Sequence, residues 1–254
     1  MITLEHVNVQ VEDRKILDDV SFEVRKGQTK VILGPSGAGK SSLLKIILGL
    51  WKPNSGSVSV QGVEITHLTE REKMPIRRRM SMVFQGNALF DSLTVAENVA
   101  FFLQEHSEMT EDLIRKRVED CLDFVNLSET QDLLPEELSG GMKKRVAIAR
   151  AISFNPEIIL YDEPTTGLDP LNAKIITGLI LRLKKERAVT SVVVTHILRD
   201  AFAVGDSLAL MSEGRVVFDG PGDDLLASTD PFVESFLSEI REEADLLTHQ
   251  SGRA

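Results

Sequence analysis

Gly34-Pro35-Ser36-Gly37-Ala38-Gly39-Lys40-Ser41 is the stretch on which the fold turns. It has the G-x4-G-K-S spacing of a Walker A loop. Glycines let successive backbone N–H groups curl around a polyphosphate, and the helix that follows points its positive end at the same anion. Lys40 is placed to reach the β- and γ-phosphates, and the Ser41 hydroxyl is placed on Mg²⁺. Gly34, Pro35, Ser36, Gly37, Ala38, Gly39, Lys40, Ser41 and Ser42 are therefore the expected phosphate contacts. The bland alternative is a glycine-rich turn opening a helix. The flanks speak against it: Lys30 to Leu33 is a short apolar strand before the loop, and Ser41 to Leu50 has helical apolar spacing after it.

Working outward, Val7, Val9 and Val11 alternate with polar residues, as do Val20, Phe22 and Val24, with Glu12-Asp13-Arg14 as a turn between them. This predicts antiparallel strands at a sheet edge. Ser57 to Gln61 and Met80 to Phe84 read as further strands. From Thr94 to Phe154 the chain is mostly helical. After Pro156, strands (Ile158–Asp162, Val189–Thr195) alternate with a helix begun by Asp169 and Pro170, and Ser207–Met211 with Val216–Asp219 reads as a closing hairpin. Strand–helix alternation broken by one helical block predicts an α/β, P-loop NTPase core with an antiparallel β edge and an inserted helical subdomain. The expected domain is 1–229, with core segments 1–85 and 156–229 around a helical subdomain at about 86–155, followed by a C-terminal amphipathic helix and tail at 230–254.

Two more motifs carry chemistry. In Ile158-Ile159-Leu160-Tyr161-Asp162-Glu163 an apolar strand delivers two carboxylates at its end. Beside a Walker A loop, Asp162 is expected to hold Mg²⁺ and Glu163 to polarise the attacking water. Leu138-Ser139-Gly140-Gly141-Met142 opens a helix, with Ser139 as N-cap and two glycines that leave backbone N–H groups uncovered. Lys143, Lys144 and Arg145 then stand in its first turn, where cations oppose the helix dipole. A nearby anion would relieve that, and Glu136 and Glu137 offer a local alternative. A second anion-binding helix start, in a chain with one Walker A lysine, suggests a head-to-tail dimer in which each chain caps the other's nucleotide.

Bulk properties narrow the class. The chain has 254 residues, 42% hydrophobic and 27% charged, with a formal net charge of -10. An acidic balance argues against nucleic acid as a partner. A single cysteine, Cys121, allows no internal disulfide framework. No signal peptide is visible, and no apolar run approaches the roughly 18 residues of a membrane span.

Taken together, these motifs resemble an ABC transporter nucleotide-binding domain over nearly the whole chain. The resemblance implies further roles. Gln85 matches the Q-loop glutamine that senses Mg²⁺ and the γ-phosphate, Gly167-Leu168-Asp169 resembles the D-loop at the dimer interface, and His196 resembles the H-loop histidine at the γ-phosphate. Arg78-Arg79-Met80-Ser81-Met82-Val83-Phe84-Gln85, Ala88-Leu89-Phe90, Glu97-Asn98-Val99-Ala100-Phe101, Glu105-His106 and Gly141-Met142 are most similar to ATPases of Mla-type and Mce-associated phospholipid transporters. The resemblance implies ATP and Mg²⁺ as cofactors and a second copy as partner. It also implies a membrane permease docking near Gln85–Leu93, a Mce-type lipid-binding subunit in the same complex, and a peripheral place on the cytoplasmic face of the inner membrane. The chain departs from the family at Val9–Asp13, which holds no aromatic for the adenine to stack on, and after His196, where Ile197 stands in place of a common acidic residue.

Other readings are an importer ATPase for another solute, a soluble ABC ATPase of the cluster-assembly type, and an inactive regulatory subunit. Lys40, Asp162, Glu163 and His196 together disfavour the last. At the C-terminus, Asp230 and Pro231 predict a helix start. Phe232, Val233, Phe236, Leu237, Ile240, Ala244 and Leu247 recur at helical spacing after it, to be buried on the chain's own domain or on a partner subunit.

Overall fold

The computed structural model describes residues 1–238. In chain order the elements are β1 (Ile2–Val11), β2 (Arg14–Val24), β3 (Thr29–Leu33), α1 (Lys40–Ile47), β4 (Ser55–Val60), β5 (Val63–Glu64), α2 (Glu70–Arg77) and β6 (Met80–Val83). Helices α3 (Val95–His106), α4 (Glu111–Phe124) and α5 (Gly140–Ile152) follow. The chain then returns to β7 (Ile158–Asp162), α6 (Pro170–Arg187), β8 (Thr190–Thr195), α7 (Leu198–Val204), β9 (Ser207–Ser212), β10 (Arg215–Gly220) and α8 (Gly222–Leu226).

The main sheet has the order β10-β9-β3-β8-β7-β6, parallel except for β10. Strands β3, β7 and β8 are buried along their whole length, because both faces are covered, as parallel sheets require. Successive residues serve opposite sides. Ile159, Tyr161 and Val193 join a core with α3 to α7. Ile158, Leu160, Val192 and Val194 join a second core with α1 and the N-terminal strands.

The N-terminal strands depart from the edge position expected of them. They form a separate antiparallel sheet, β2-β1-β4-β5, in which β1 pairs on both sides. The expected alternation also slips. His6 takes φ 51°, the β1–β2 register shifts between Leu4 and Val7, and Val11 ends 48% exposed. The antiparallel edge of the main sheet is β10 instead.

Helix α2 has no counterpart in the apolar pattern. It is rich in charge and contains Pro75, yet Thr69 and Glu72 form a reciprocal capping box at its start. At the C-terminus Asp230 caps as expected, its Oδ1 accepting from the N–H groups of Phe232 at 2.9 Å and Val233 at 3.2 Å. Residues 231–238 are helical. Val233, Phe236 and Leu237 are buried in the chain's own core, in the cluster shared with the helices on that side of the main sheet, which answers for these three the choice left open by the sequence. Ile240, Ala244, Leu247 and the rest of the expected tail lie outside the described residues.

Candidate functional site

Four neighbouring strands of the main sheet end level with one another. Leu33 pairs with Thr195, Asp162 with Val194, and Val83 with Tyr161. The residues just beyond these ends are Gly34, His196, Glu163 and Gln85. Residues far apart in the chain are thus gathered at the carboxyl edge of a parallel sheet, where ligands of open α/β folds bind.

The loop from Gly34 to Gly39 joins β3 to α1. Two of its glycines are obligatory. Gly34 has φ 151° and a Cβ there would stand 2.3 Å from the Met211 carbonyl oxygen; Gly39 has φ 98° and would meet the Ile16 carbonyl oxygen at 2.7 Å. Lys40 is 6% exposed. Its Nζ donates to the carbonyl oxygens of Gly34 at 2.7 Å and Pro35 at 2.9 Å, and lies 3.8 Å from Glu163 Oε1. Burial pulls the Lys40 pKa below its usual value, opposed by the Glu163 and Asp162 carboxylates.

Ser41 Oγ donates to Asp162 Oδ1 at 2.9 Å. Burial pushes the Asp162 carboxyl above the usual range, and the Ser41 hydrogen bond opposes the shift. Two hard oxygen donors converging beside a phosphate loop fit Mg²⁺. Glu163 follows immediately in a left-handed conformation, φ 48°, strain of a kind that concentrates at functional sites. Its carboxylate accepts from Thr166 Oγ1 at 2.8 Å and lies 3.0 Å from His196 Nδ1. His196 is exposed and Glu163 is buried.

Ser139, Gly140 and Gly141 begin α5, and Ser139 Oγ accepts from the Met142 N–H at 3.3 Å. Gly141 packs on Asn172, where a Cβ would fall 2.3 Å from Asn172 Oδ1. Asp169 caps α6, its Oδ1 accepting from the N–H groups of Leu171 and Asn172 at 3.0 Å each. Ser139–Gly141 and Asp169 are therefore joined through Asn172. Ser139, Gly140 and Asp169 are solvent-exposed.

Of the first-turn cations of α5, Lys144 and Arg145 are taken up by backbone carbonyl oxygens and not by Glu136 and Glu137. Lys144 Nζ donates to the carbonyl oxygens of Phe84 and Gln85, at 3.1 and 2.8 Å, and burial lowers its pKa to about 8. Arg145 donates to the carbonyl oxygens of Val125 and Asn126. These carbonyls lie just past the ends of β6 and α4.

Sequence reasoning gave no role of its own to Asn98, which is fully buried. Its amide donates to the carbonyl oxygens of Phe90, Leu93 and Thr94 at 3.0 Å each, and its Oδ1 accepts from the Phe90 N–H at 2.8 Å. Next to this turn is an apolar groove of about 460 Å³, bordered by Met82, Phe84, Ala88, Phe90, Phe101 and Phe154. Phe90 is 42% exposed and its ring centroid lies 4.5 Å from that of Phe101. A second, polar pocket of about 400 Å³ adjoins the Walker A loop, between Arg14–Ile16 and Ser212–Gly214.

A family model described as "ABC transporter" matches residues 17–166. The chain is 39% identical over 237 residues to the "Intermembrane phospholipid transport system ATP-binding protein MlaF" of Haemophilus influenzae, covering 93% of this chain and 90% of that one. It is 43% identical over 245 residues to the "Methionine import ATP-binding protein MetN" of Carboxydothermus hydrogenoformans, covering 94% of this chain and 72% of that one. Among solved structures, the dimeric post-hydrolysis state of the ATP-binding cassette MJ0796 bound to ADP and Pi matches with a TM-score of 0.81 and 36% identity, covering 87% of this chain and 98% of that one.

Proposed function

The chain belongs to the ABC transporter family of ATP-hydrolysing subunits, and on that premise we propose that it drives phospholipid transport between membranes. The observation that carries the catalytic reading is the convergence of Lys40, Ser41, Asp162, Glu163 and His196 at one sheet edge. The phospholipid reading rests on likeness to MlaF along almost the whole of both chains.

In this reading residues 1–229 are the ATPase domain, with 86–155 as its helical subdomain. Backbone N–H groups of Gly34–Ser42 cradle the phosphates, and Lys40 exchanges the Gly34 and Pro35 carbonyls for phosphate oxygens. Ser41, Asp162 and Gln85 would hold Mg²⁺. When bound there, Mg²⁺ would neutralise charge that develops on the phosphates. Glu163 orients and deprotonates the attacking water, and His196 fixes the Glu163 carboxylate. Water oxygen bonds to the γ-phosphorus, the bond to the β-bridging oxygen breaks, and ADP and phosphate leave. The base lies in the pocket between Arg14–Ile16 and Ser212–Gly214, with no aromatic platform at Val9–Asp13.

Ser139, Gly140 and Asp169, exposed and tied together through Asn172, meet the nucleotide of a second copy. The groove beside Phe90 receives a cytoplasmic segment of a permease at the inner membrane, and a Mce-type subunit completes the complex. Among the described residues no helix is long and apolar enough to cross a membrane.

The likeness to MetN supports a second reading, methionine import. The two separate in vesicles reconstituted with the permease that copurifies with this chain. ATP-dependent movement of fluorescent phospholipid, without methionine uptake, supports the first. Methionine uptake without lipid movement replaces it with the second.

A further inference from the structure

The backbone just after β6 is gripped by α5. Lys144 is 2% exposed, and its ammonium donates to the carbonyl oxygens of Phe84 and Gln85, at 3.1 and 2.8 Å. Arg150 spreads its guanidinium over the next pair, Nη2 to the Asn87 oxygen at 2.9 Å and Nη1 to the Ala88 oxygen at 2.7 Å. Within 84–88, only Gly86 keeps its carbonyl off these two cations.

The grip shapes the segment. Asn87 and Ala88 stand in succession at φ 63° and 51°. Two adjacent left-handed residues other than glycine persist only where their surroundings impose that conformation. Here it turns both carbonyls to one forked side chain, whose two Nη atoms each take one oxygen in a fixed planar geometry that a single ammonium nitrogen does not reproduce. Neither Lys144 nor Arg150 forms an ion pair among the described residues. Filling the same space with apolar side chains would carry far less desolvation cost, so these charges act through the carbonyls they hold. On its far side the segment is anchored separately, Phe90 to Thr94 being tied to α3 through Asn98.

Helix α5 is the one that Ser139, Gly140 and Gly141 begin. We propose that Lys144 and Arg150 are positioning residues that clasp Phe84–Ala88 to α5, so that Gln85 and the Ser139–Gly141 helix start move as one rigid unit. The proposal rests on the reading in which Gln85 senses one chain's Mg²⁺-ATP while Ser139–Gly141 caps the nucleotide of its partner. The clasp then couples the two composite sites of a dimer within each chain. Arg150 and Ala88 also border the apolar groove, so whatever docks there bears on the same clasp.

The test uses the full chain with spin labels at Gly86→Cys and Lys143→Cys, where the added Cβ at position 86 meets nothing within 4 Å. With the clasp intact, one narrow label-to-label distance is expected both without nucleotide and with Mg²⁺-ATP. Arg150→Lys loses the fork. Its distance distribution should broaden and kcat should fall about tenfold, while KM for ATP and nucleotide affinity stay within about twofold. Lys144→Met should do the same. A purely structural role would lower the melting temperature while leaving the distance and the kcat-to-KM split unchanged. That result in Arg150→Lys overturns the clasp, and Arg150→Lys decides alone should Lys144→Met fail to fold. Failure of the unsubstituted chain to bind ATP removes the underlying reading of the site instead.

Discussion

His196 Nδ1 stands 3.0 Å from Glu163 Oε2, joining the end of β8 to the end of β7. The histidine is exposed and the carboxylate buried, and in the proposed function this pair positions the attacking water at the γ-phosphate. Glu163→Gln should keep ATP binding and lose roughly 10²–10⁴-fold in turnover, because an amide cannot take a proton. It should also trap an ATP-bound dimer, visible in size-exclusion profiles with and without ATP. His196→Ala should cost roughly 10²-fold through loss of carboxylate orientation. Phosphate release close to that of the unsubstituted chain in Glu163→Gln would remove the role given to Glu163.

The Walker A loop predicts a different signature. Lys40→Ala should weaken nucleotide affinity itself, and unchanged affinity by calorimetry would count against the phosphate role of Lys40. Gly34→Ala forces a Cβ to within 2.3 Å of the Met211 carbonyl oxygen. Displacing that backbone should cost on the order of 1–3 kcal/mol of stability along with ATP binding. A melt unchanged by Gly34→Ala would show that the loop is free to shift away from β9.

These contrasts mark what sequence could reveal. Gly34–Ser41 and Ile158–Glu163 were legible because their chemistry needs a fixed local spacing, and that spacing also announces the strand before the loop and the helix after it. The sheet edge that assembles them could be foreseen in outline. The separate N-terminal sheet could not, because β1 finds its second partner in β4, beyond the reach of alternation. Helix α2 was hidden by its charge, although the Thr69–Glu72 capping box signals it in retrospect. The partners of Lys144, Arg150 and Asn98 left no local trace. What these side chains hold are carbonyls of segments that only tertiary folding brings near, and Lys144 read as a cation in need of an anion.

Phe90 is exposed beside the groove and in tilted contact with the Phe101 ring, whereas Leu89 packs against the core. Phe90→Ala should therefore lower transport in the assembled complex several-fold, with a melting shift of no more than about 2–4 °C for roughly 1 kcal/mol. Basal ATPase of the isolated subunit should change little. Equal losses of transport and basal ATPase, with a much lower melting temperature, would make Phe90 a packing residue.

Val233, Phe236 and Leu237 lie in the chain's own core. Phe236→Ala should cost about 3–5 kcal/mol, and removing residues 230–254 should lower the melting temperature markedly. Sedimentation of the truncated chain distinguishes the roles of its parts. Weaker association with an unchanged melt would show that the segment serves the partner rather than its own domain.

Cys121 is fully buried, and desolvation pushes its thiol pKa up. A protonated thiol is a poor nucleophile. At high concentration a thiol reagent should modify it at the rate of unfolding. Rapid labelling of the native chain at neutral pH would place Cys121 outside the core.

The central claim is that ATP is held between two copies, one giving Lys40 and the other Ser139. The direct measurement counts occluded ATP in mixed dimers carrying Lys40→Ala and Ser139→Arg. With the substitutions on opposite chains, both fall on one composite site, and one ATP per dimer should remain occluded. With both on one chain, each composite site is damaged and none should remain. Equal occlusion in the two arrangements would contradict the shared-site account.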